Sequence, residues 1–205
     1  MNKILLFIPC FNCEKQIYRV LNSLNEDIFK LANEIVLIDN RSEDNTSNVI
    51  KEFIKNHKYK NLFKIFLNNE NYSFGGSHKV AINYAREKNF THILVLHGDD
   101  QADINDIIKI NKEDINKFDC LMGSRFLKES DAKTYSFIKK TGNIIFNFMF
   151  NLFKKNKIYD LGSGLYIIKT SVFEDNKFLN FPDNLTFNYF LTLYMAKKKF
   201  ELKYF

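Results

Sequence analysis

Five short apolar runs, separated by longer amphipathic stretches, constrain this chain more than any other feature in it. Residues 4–8 read ILLFI, 34–38 EIVLI, 63–67 FKIFL, 92–96 HILVL and 118–122 FDCLM. A run that is apolar on both of its faces suits a strand covered on both sides, as in a parallel sheet layered between helices. Between the runs, apolar residues recur at helical spacing. Ile17, Val20, Leu21 and Leu24 do so within 16–24, and Val49, Ile50, Phe53 and Ile54 within 44–54; 79–86 and 104–110 read alike. Strand alternating with helix at this rhythm predicts an α/β fold with a mostly parallel central sheet and right-handed crossovers.

The chain has 205 residues, enough for one domain with a core of its own. Only 2 Pro and 7 Gly argue against a linker-like or loop-rich chain, and 26% charged residues argue against disorder. Lys and Arg exceed Asp and Glu by 30 to 24, a net charge of +6 that is scattered along the chain. Nucleic-acid binding would need that charge gathered on one face, so no nucleic-acid partner is expected. Three Cys do not make a secreted disulfide scaffold. The apolar start is broken by Pro9 and lacks a cleavage site, and no apolar run reaches the ~18 residues that span a bilayer. The expected location is cytoplasmic, with a peripheral position on the inner face of the plasma membrane as an extension of that reading.

The second part of the chain differs. Residues 135–157, YSFIKKTGNIIFNFMFNLFKKNK, hold an apolar centre bracketed by Lys139, Lys140, Lys154, Lys155 and Lys157. Such a helix suits a membrane interface; it also suits packing under a sheet edge with its lysines solvated. Residues 159–169 read as a Gly-containing turn entering a strand, and 189–205 as a helix followed by a strand. The sequence stops with no turn or cap, which raises the expectation of a missing C-terminal extension.

Ligands in open parallel sheets bind beyond the carboxyl ends of the strands, so the segments after each run are where chemistry is sought. After the fourth run comes His97-Gly98-Asp99-Asp100-Gln101-Ala102-Asp103. Hard divalent ions take one or two protein carboxylates together with substrate phosphates. Asp99 is read as such a ligand and Asp103 as the cap of the next helix. Asp39 directly follows the second run, where a carboxylate can meet a base or ribose; Ser42 or Asp44 suits a helix cap. Gly75-Gly76 precedes a helical stretch and permits close backbone approach or anion binding. The spacing of a phosphate-binding GxxxxGK[ST] loop is absent, as is a GxGxxG after the first strand. Cys10 and Cys13 form a CxxC between strand and helix, read chiefly as two small loop residues.

Taken in order, these segments resemble family 2 glycosyltransferases of the GT-A fold. IPCFNCEKQI resembles "P-x-x-N-E", VLIDNRSEDNT resembles "V-D-D-G-S-T-D-x-T", and NNENYSFGGSHKVAINYA resembles "N-x-G-x-G-x-A" at a helix start. VLHGDDQAD resembles the "D-x-D-x-Q" metal loop, CLMGSRF resembles "G-S-R-F", and DLGSGLYIIK resembles "D-x-x-S-G-F-R". The nearest flavour is that of polyprenyl-phosphate sugar synthases. The resemblance implies one Rossmann-like GT-A catalytic domain over 1–205. It implies an inverting, metal-dependent transfer of sugar from a nucleoside-diphosphate donor to a polyprenyl-phosphate or glycan acceptor, in cell-surface polysaccharide or glycolipid synthesis. Mg²⁺ or Mn²⁺ would be the cofactor.

By that resemblance Pro9, Phe11, Glu14 and Asp39 line the nucleotide pocket, and Asp99 holds the metal, with His97 and Asp100 as secondary ligands. Gln101 and Arg125 lie near the donor sugar and phosphates, and Ser163 and Gly164 on the acceptor side. Asp160 is the candidate base if the acceptor is a hydroxyl. Lys79 is added to the nucleotide pocket by charge alone. Three departures stand out: His97 replaces the first carboxylate of the metal loop, Tyr166 replaces the Arg of the S-G-F-R element, and the chain ends at Phe205. They supply the alternative reading of a catalytically impaired nucleotide-sugar-binding homologue or a truncated fragment.

Overall fold

The computed structural model describes residues 2–124, 159–160 and 162–205. Arg125 and the stretch 135–157 lie outside the described residues.

The apolar runs are strands. In chain order the elements are β1 (Ile4–Cys10), α1 (Glu14–Asn22), α2 (Glu26–Leu31), β2 (Glu34–Asp39), α3 (Thr46–Lys55), β3 (Phe63–Leu67) and α4 (Ser73–Glu87). Then come β4 (His92–Leu96), α5 (Lys112–Lys117), β5 (Cys120–Met122), β6 (Leu165–Lys169), α6 (Phe187–Lys198) and β7 (Leu202–Tyr204). Among the described residues the seven strands form one sheet in the order β3-β2-β1-β4-β6-β5-β7. The pairs β3–β2, β2–β1, β1–β4 and β5–β7 are parallel, while β6 runs antiparallel to both β4 and β5.

Successive residues of β1 serve opposite faces of the sheet, as the two-residue period of a strand demands. Ile4, Leu6 and Ile8 pack with α1, α2 and α3 residues such as Ile17, Ile28 and Ile50. Leu5 and Phe7 pack on the other face with Ala81 and Ile82 of α4 and Leu191 and Met195 of α6. This two-sided burial explains why the runs read as continuously apolar rather than alternating.

Several local readings are revised. Residues 104–110 form only a short 3-10 turn, Ile104–Ile107, capped by Asp103, whose Oδ1 accepts from the Asn105 N–H at 2.9 Å. The helix expected at 79–86 begins earlier, at Ser73, so Gly75 and Gly76 lie inside its first turn rather than in the preceding loop. The short helices α2 and α5 carry too few residues to display a helical period.

Candidate active site

Strand β1 pairs with β2 on one side and β4 on the other, so the strand order reverses at β1. A crevice opens beyond the carboxyl ends at such a switch point. Here it is a cleft of about 600 Å³. Pro9 and Phe11 enter it from the end of β1, Asn40 from just past β2, Asn71 from the approach to α4, Phe74 from its first turn, and His97, Asp99 and Gln101 from the turn after β4. Gly162, Leu185 and Asn188 close the far side.

The loops after β1 and β2 are joined by reciprocal side-chain-to-backbone bonds. Asn12 N–H donates to Ser42 Oγ (3.0 Å) and Asn12 Oδ1 accepts from Glu43 N–H (2.8 Å). Glu14 N–H donates to Asp44 Oδ2 (3.1 Å), while Glu14 Oε2 accepts from Asn45 N–H (2.9 Å). Cys13 N–H donates to Thr46 Oγ1 (2.9 Å). Glu14 and Asp44 thus satisfy backbone donors at the starts of α1 and α3 that those helices leave unpaired.

On the other side of β2 the Asn40 amide, 5% exposed, uses its full bonding capacity. Its Nδ2 donates to Asn71 Oδ1 (2.7 Å) and the Ser73 carbonyl (3.1 Å); its Oδ1 accepts from Asn68 Nδ2 (2.8 Å) and Tyr72 N–H (2.9 Å). The backbone partners fix which atom is which, because Tyr72 N–H can only donate and the Ser73 carbonyl can only accept. Asn40 therefore sets the approach to α4 and with it the cleft wall.

The turn after β4 is held at three points. His97 N–H donates to the Gly164 carbonyl (3.1 Å), Gly98 N–H to the Pro9 carbonyl (3.1 Å), and Gln101 N–H to Asp99 Oδ1 (3.3 Å). Asp100 adopts φ 62° and pairs with Arg19 of α1, Nε to Oδ2 2.6 Å. The His97 ring lies on Gly164, where a Cβ would come within 2.9 Å of Nδ1, and it is edge-on to Phe74 (5.1 Å) and His78 (5.9 Å). His78 is buried; that burial first, then the neighbouring His97, pushes it down to about 3, against the opposing effect of its bond to the Phe74 carbonyl.

Of the residues singled out from the sequence, Pro9, Phe11, His97, Asp99 and Gln101 line the cleft together. Others stand beside it with their polar groups engaged. Asp39 is 1% exposed, accepting from Ser42 N–H (2.9 Å) and from Ser47 Oγ. Asp100 turns to Arg19, and Glu14 to the start of α3. Lys79 does not reach the cleft: its ammonium pairs with Asp183 (2.7 Å) and the Phe181 carbonyl (2.6 Å). Asp160, 1% exposed, accepts from Gly162 N–H (2.9 Å), and Ser163 Oγ donates to the Leu165 carbonyl (2.8 Å). Gly75-Gly76 is a packing device rather than an anion cradle. Both N–H groups point at the Asp183 carbonyl, and a Cβ on Gly75 would lie 2.4 Å from the Pro182 oxygen. Sequence reading missed Asn40, Asn71, Leu185 and Asn188; the recurrence of Asn just past successive strands was the available signal for the first two.

Among the described residues Asp99 is the only acidic side chain lining the cleft, and it is exposed. Among the described residues no group of three His, Cys, Asp or Glu side chains gathers there to hold an ion unaided. One exposed carboxylate with an imidazole two residues before it fits an ion that takes its other ligands from substrate phosphates and water, and the imidazole suits Mn²⁺ better than Mg²⁺. Among the described residues no helix is long and apolar enough to cross a membrane.

Residues 6–176 match the family model described as glycosyl transferase family 2. An uncharacterized protein of Methanocaldococcus jannaschii is 30% identical over 204 residues, covering 95% of this chain and 82% of its own length. A UDP-N-acetylglucosamine–dolichyl-phosphate N-acetylglucosaminyltransferase of Methanococcus voltae is 28% identical over 172 residues, covering 79% of this chain and 67% of its own. Among solved structures, residues 1–349 of S. aureus TarS superpose with a TM-score of 0.67 at 18% identity. That match covers 99% of this chain and 58% of the TarS chain. Glucosyl-3-phosphoglycerate synthase of Mycobacterium tuberculosis, in complex with Mn²⁺, UDP and glucosyl-3-phosphoglycerate, superposes at 0.64 with 10% identity, covering 99% of this chain and 69% of its own. At those identities the structural likeness establishes the fold.

Proposed function

The chain belongs to glycosyltransferase family 2, and we propose that it transfers a sugar, with inversion, from a nucleoside-diphosphate donor to a polyprenyl phosphate. The observation that carries this reading is the exposed Asp99 on the lip of the switch-point cleft, beside Pro9, Phe11 and Gln101. Uridine is the base to try first, because the M. voltae relative uses a UDP-sugar and the M. tuberculosis structure holds UDP.

Asp99, with His97 as second ligand, would hold a divalent ion against the donor diphosphate. That ion supplies charge neutralisation on the departing nucleoside diphosphate. The remaining work is the chain's own. Phe11, 46% exposed at the cleft, offers a flat apolar face to a base. The Asn40 network keeps the opposite wall rigid, and Gln101 reaches toward the sugar. Holding donor and acceptor in line contributes about 7–11 kcal/mol to such a reaction. A phosphate acceptor is already an anionic nucleophile and needs no strong base. This agrees with Asp160 being buried and occupied with the Gly162 turn rather than open to the cleft. Asp39 would act through the Ser42–Ser47 segment it organises, Gly164 through the seat it gives His97, and Ser163 through its carbonyl, which accepts from Asn188 of the cleft wall. Arg125 and the basic, apolar stretch 135–157 would serve the phosphates and a membrane surface.

The test is UDP-sugar turnover with Mn²⁺ and a short polyprenyl phosphate. Asp99→Asn should lower turnover at least a hundredfold while far-UV circular dichroism stays unchanged; full activity in that variant rejects the reading. A second reading, a nucleotide-sugar-binding homologue without turnover, is favoured by His97 in place of a carboxylate. UDP binding by calorimetry, with no product over any acceptor tried, would select it.

A further inference from the structure

The cysteines of the CxxC segment are left unused by this mechanism, and their placement is specific. Cys10 ends β1, and Cys13 is the N-cap of α1, whose carbonyl accepts from Gln16 and Ile17 N–H. Both residues line the cleft and are buried at its floor, with Phe11 between them in sequence. The two sulfurs converge beneath Gly98: from the point where a Cβ on Gly98 would stand, Cys10 Sγ lies at 3.3 Å and Cys13 Sγ at 3.4 Å. Both thiols are free, and so is Cys120, which sits apart in β5. We propose that Cys10 and Cys13 are an oxidisable dithiol, closing reversibly to a disulfide that reshapes the cleft floor and the turn bearing Asp99.

Three further observations support it. The nearness of the two thiols, joined by a contact from Thr46 Oγ1 (3.9 Å), draws Cys13 down from its ordinary value despite its burial, while the same nearness and burial hold Cys10 well above; Cys10 Sγ itself donates to the Ile8 carbonyl (3.5 Å). A thiol made acidic at a helix N-terminus beside a second thiol is the arrangement that favours attack on a disulfide. Burial also pushes Cys120 up, and it stands in β5 apart from the other two thiols. Finally, Gly98 is bonded to the strand that carries Cys10. Its N–H donates to the carbonyl of Pro9 (3.1 Å), the residue before Cys10, which ties the end of β1 to the turn one residue before Asp99.

The oxidant is a small-molecule disulfide, RSSR. The Cys13 thiolate attacks one of its sulfurs, forming a mixed disulfide and releasing RS⁻. Cys10, its proton lost to water, attacks the Cys13 sulfur and releases the second RS⁻; both released thiolates take up protons. Two protein thiols are oxidised and one RSSR is reduced to two RSH. The product closes Pro9–Glu14 around a four-residue ring that includes Phe11. The loss of donor binding expected from this rests on the function proposed above; the disulfide itself does not.

The experiment treats the full chain with oxidised glutathione, maps disulfides by mass, follows hydrogen exchange over 97–101, and measures UDP binding before and after. The expected result is a Cys10–Cys13 bond, two mass units lost, Cys120 still reduced, altered exchange over 97–101, and UDP affinity at least tenfold weaker, all reversed by dithiothreitol. Cys13→Ser should show none of these changes relative to its own untreated state, and Cys120→Ser should show all of them. A stalled glutathione adduct, no bond at all, or a bond that leaves exchange over 97–101 unchanged overturns the proposal. If the reduced protein binds no UDP, the functional reading fails, while mass and exchange still decide the dithiol.

Discussion

Arg19 of α1 and Asp100 meet at 2.6 Å, tying a helix on the rim of the cleft to the turn that presents Asp99. The pair is well exposed, 59% and 33% by side chain, so its direct contribution to stability is at most about 1 kcal/mol. Its geometry matters more, because Asp100 is held in the left-handed region, φ 62°, which a residue with a Cβ enters at a penalty. Arg19→Met should leave the melting temperature within a few degrees and raise the Mn²⁺ concentration needed for half-maximal UDP binding severalfold. Unchanged metal dependence would show that the turn holds itself.

Asn40 joins four partners while buried. Removing it leaves buried donors unpaired, at about 1–3 kcal/mol each. Asn40→Ala is expected to lower unfolding free energy by about 2–4 kcal/mol, read by urea titration. Asn40→Asp keeps the shape but sets a carboxylate against the Asn71 and Ser73 oxygens, and should lose as much. If the aspartate variant retains wild-type stability, the amide donor is not what organises this wall.

Gly75 lies where α4 crosses the segment before α6. A Cβ there would stand 2.4 Å from the Pro182 oxygen and 2.8 Å from Phe187 Cβ, and neither is a flexible side-chain end. Gly75→Ala should therefore destabilise by about 1–3 kcal/mol through overpacking, although alanine is the better helix former. A stabilised variant would mean that the two segments separate readily.

Acid should weaken the fold through its buried histidines. His78 titrates at about 3 in the folded chain because burial disfavours its charged form, and His92 is lowered for the same primary reason. An unfolded histidine titrates near 6.5. Below that value the unfolded state takes up a proton that folded His78 refuses. Its stabilising effect is complete above pH ~6.5 and is lost progressively as pH falls toward 3, about 2 kcal/mol between pH 7.5 and 5. Unfolding free energies at those two pH values should differ by about that much less in His78→Leu than in the unmodified chain. Equal differences would assign the acid sensitivity elsewhere.

The strands were legible because their signal is local. The runs at 63–67 and 92–96 are β3 and β4 to the residue, and those at 4–8 and 34–38 fall short by the polar or small residues that end β1 and β2. Pro9, Phe11 and Gln101 came with the family resemblance; that ligands would meet the strand ends, with Asp99 among them, followed from strand-end position. The identity of the remaining charged site residues did not. Glu14, Asp39, Lys79 and Asp100 all carry the right chemistry, yet each is turned to a partner: Asp39 to its own downstream loop, and Glu14, Lys79 and Asp100 to segments that local pattern cannot reveal. For Lys79 that partner is Asp183, on a segment far downstream.

What the amino-acid sequence determined by itself was the layered α/β plan and the edge of the sheet where chemistry belongs. Apolar periodicity acts over a few residues and admits few solutions. Only the tertiary structure decided that β6 enters antiparallel between β4 and β5, that the glycine pair at 75–76 serves packing, and that Asp99 alone among the described acidic groups opens onto the cleft. Those outcomes depend on which distant backbone and side-chain groups arrive alongside, and a charged or amide side chain is committed by the partner nearest to it in space.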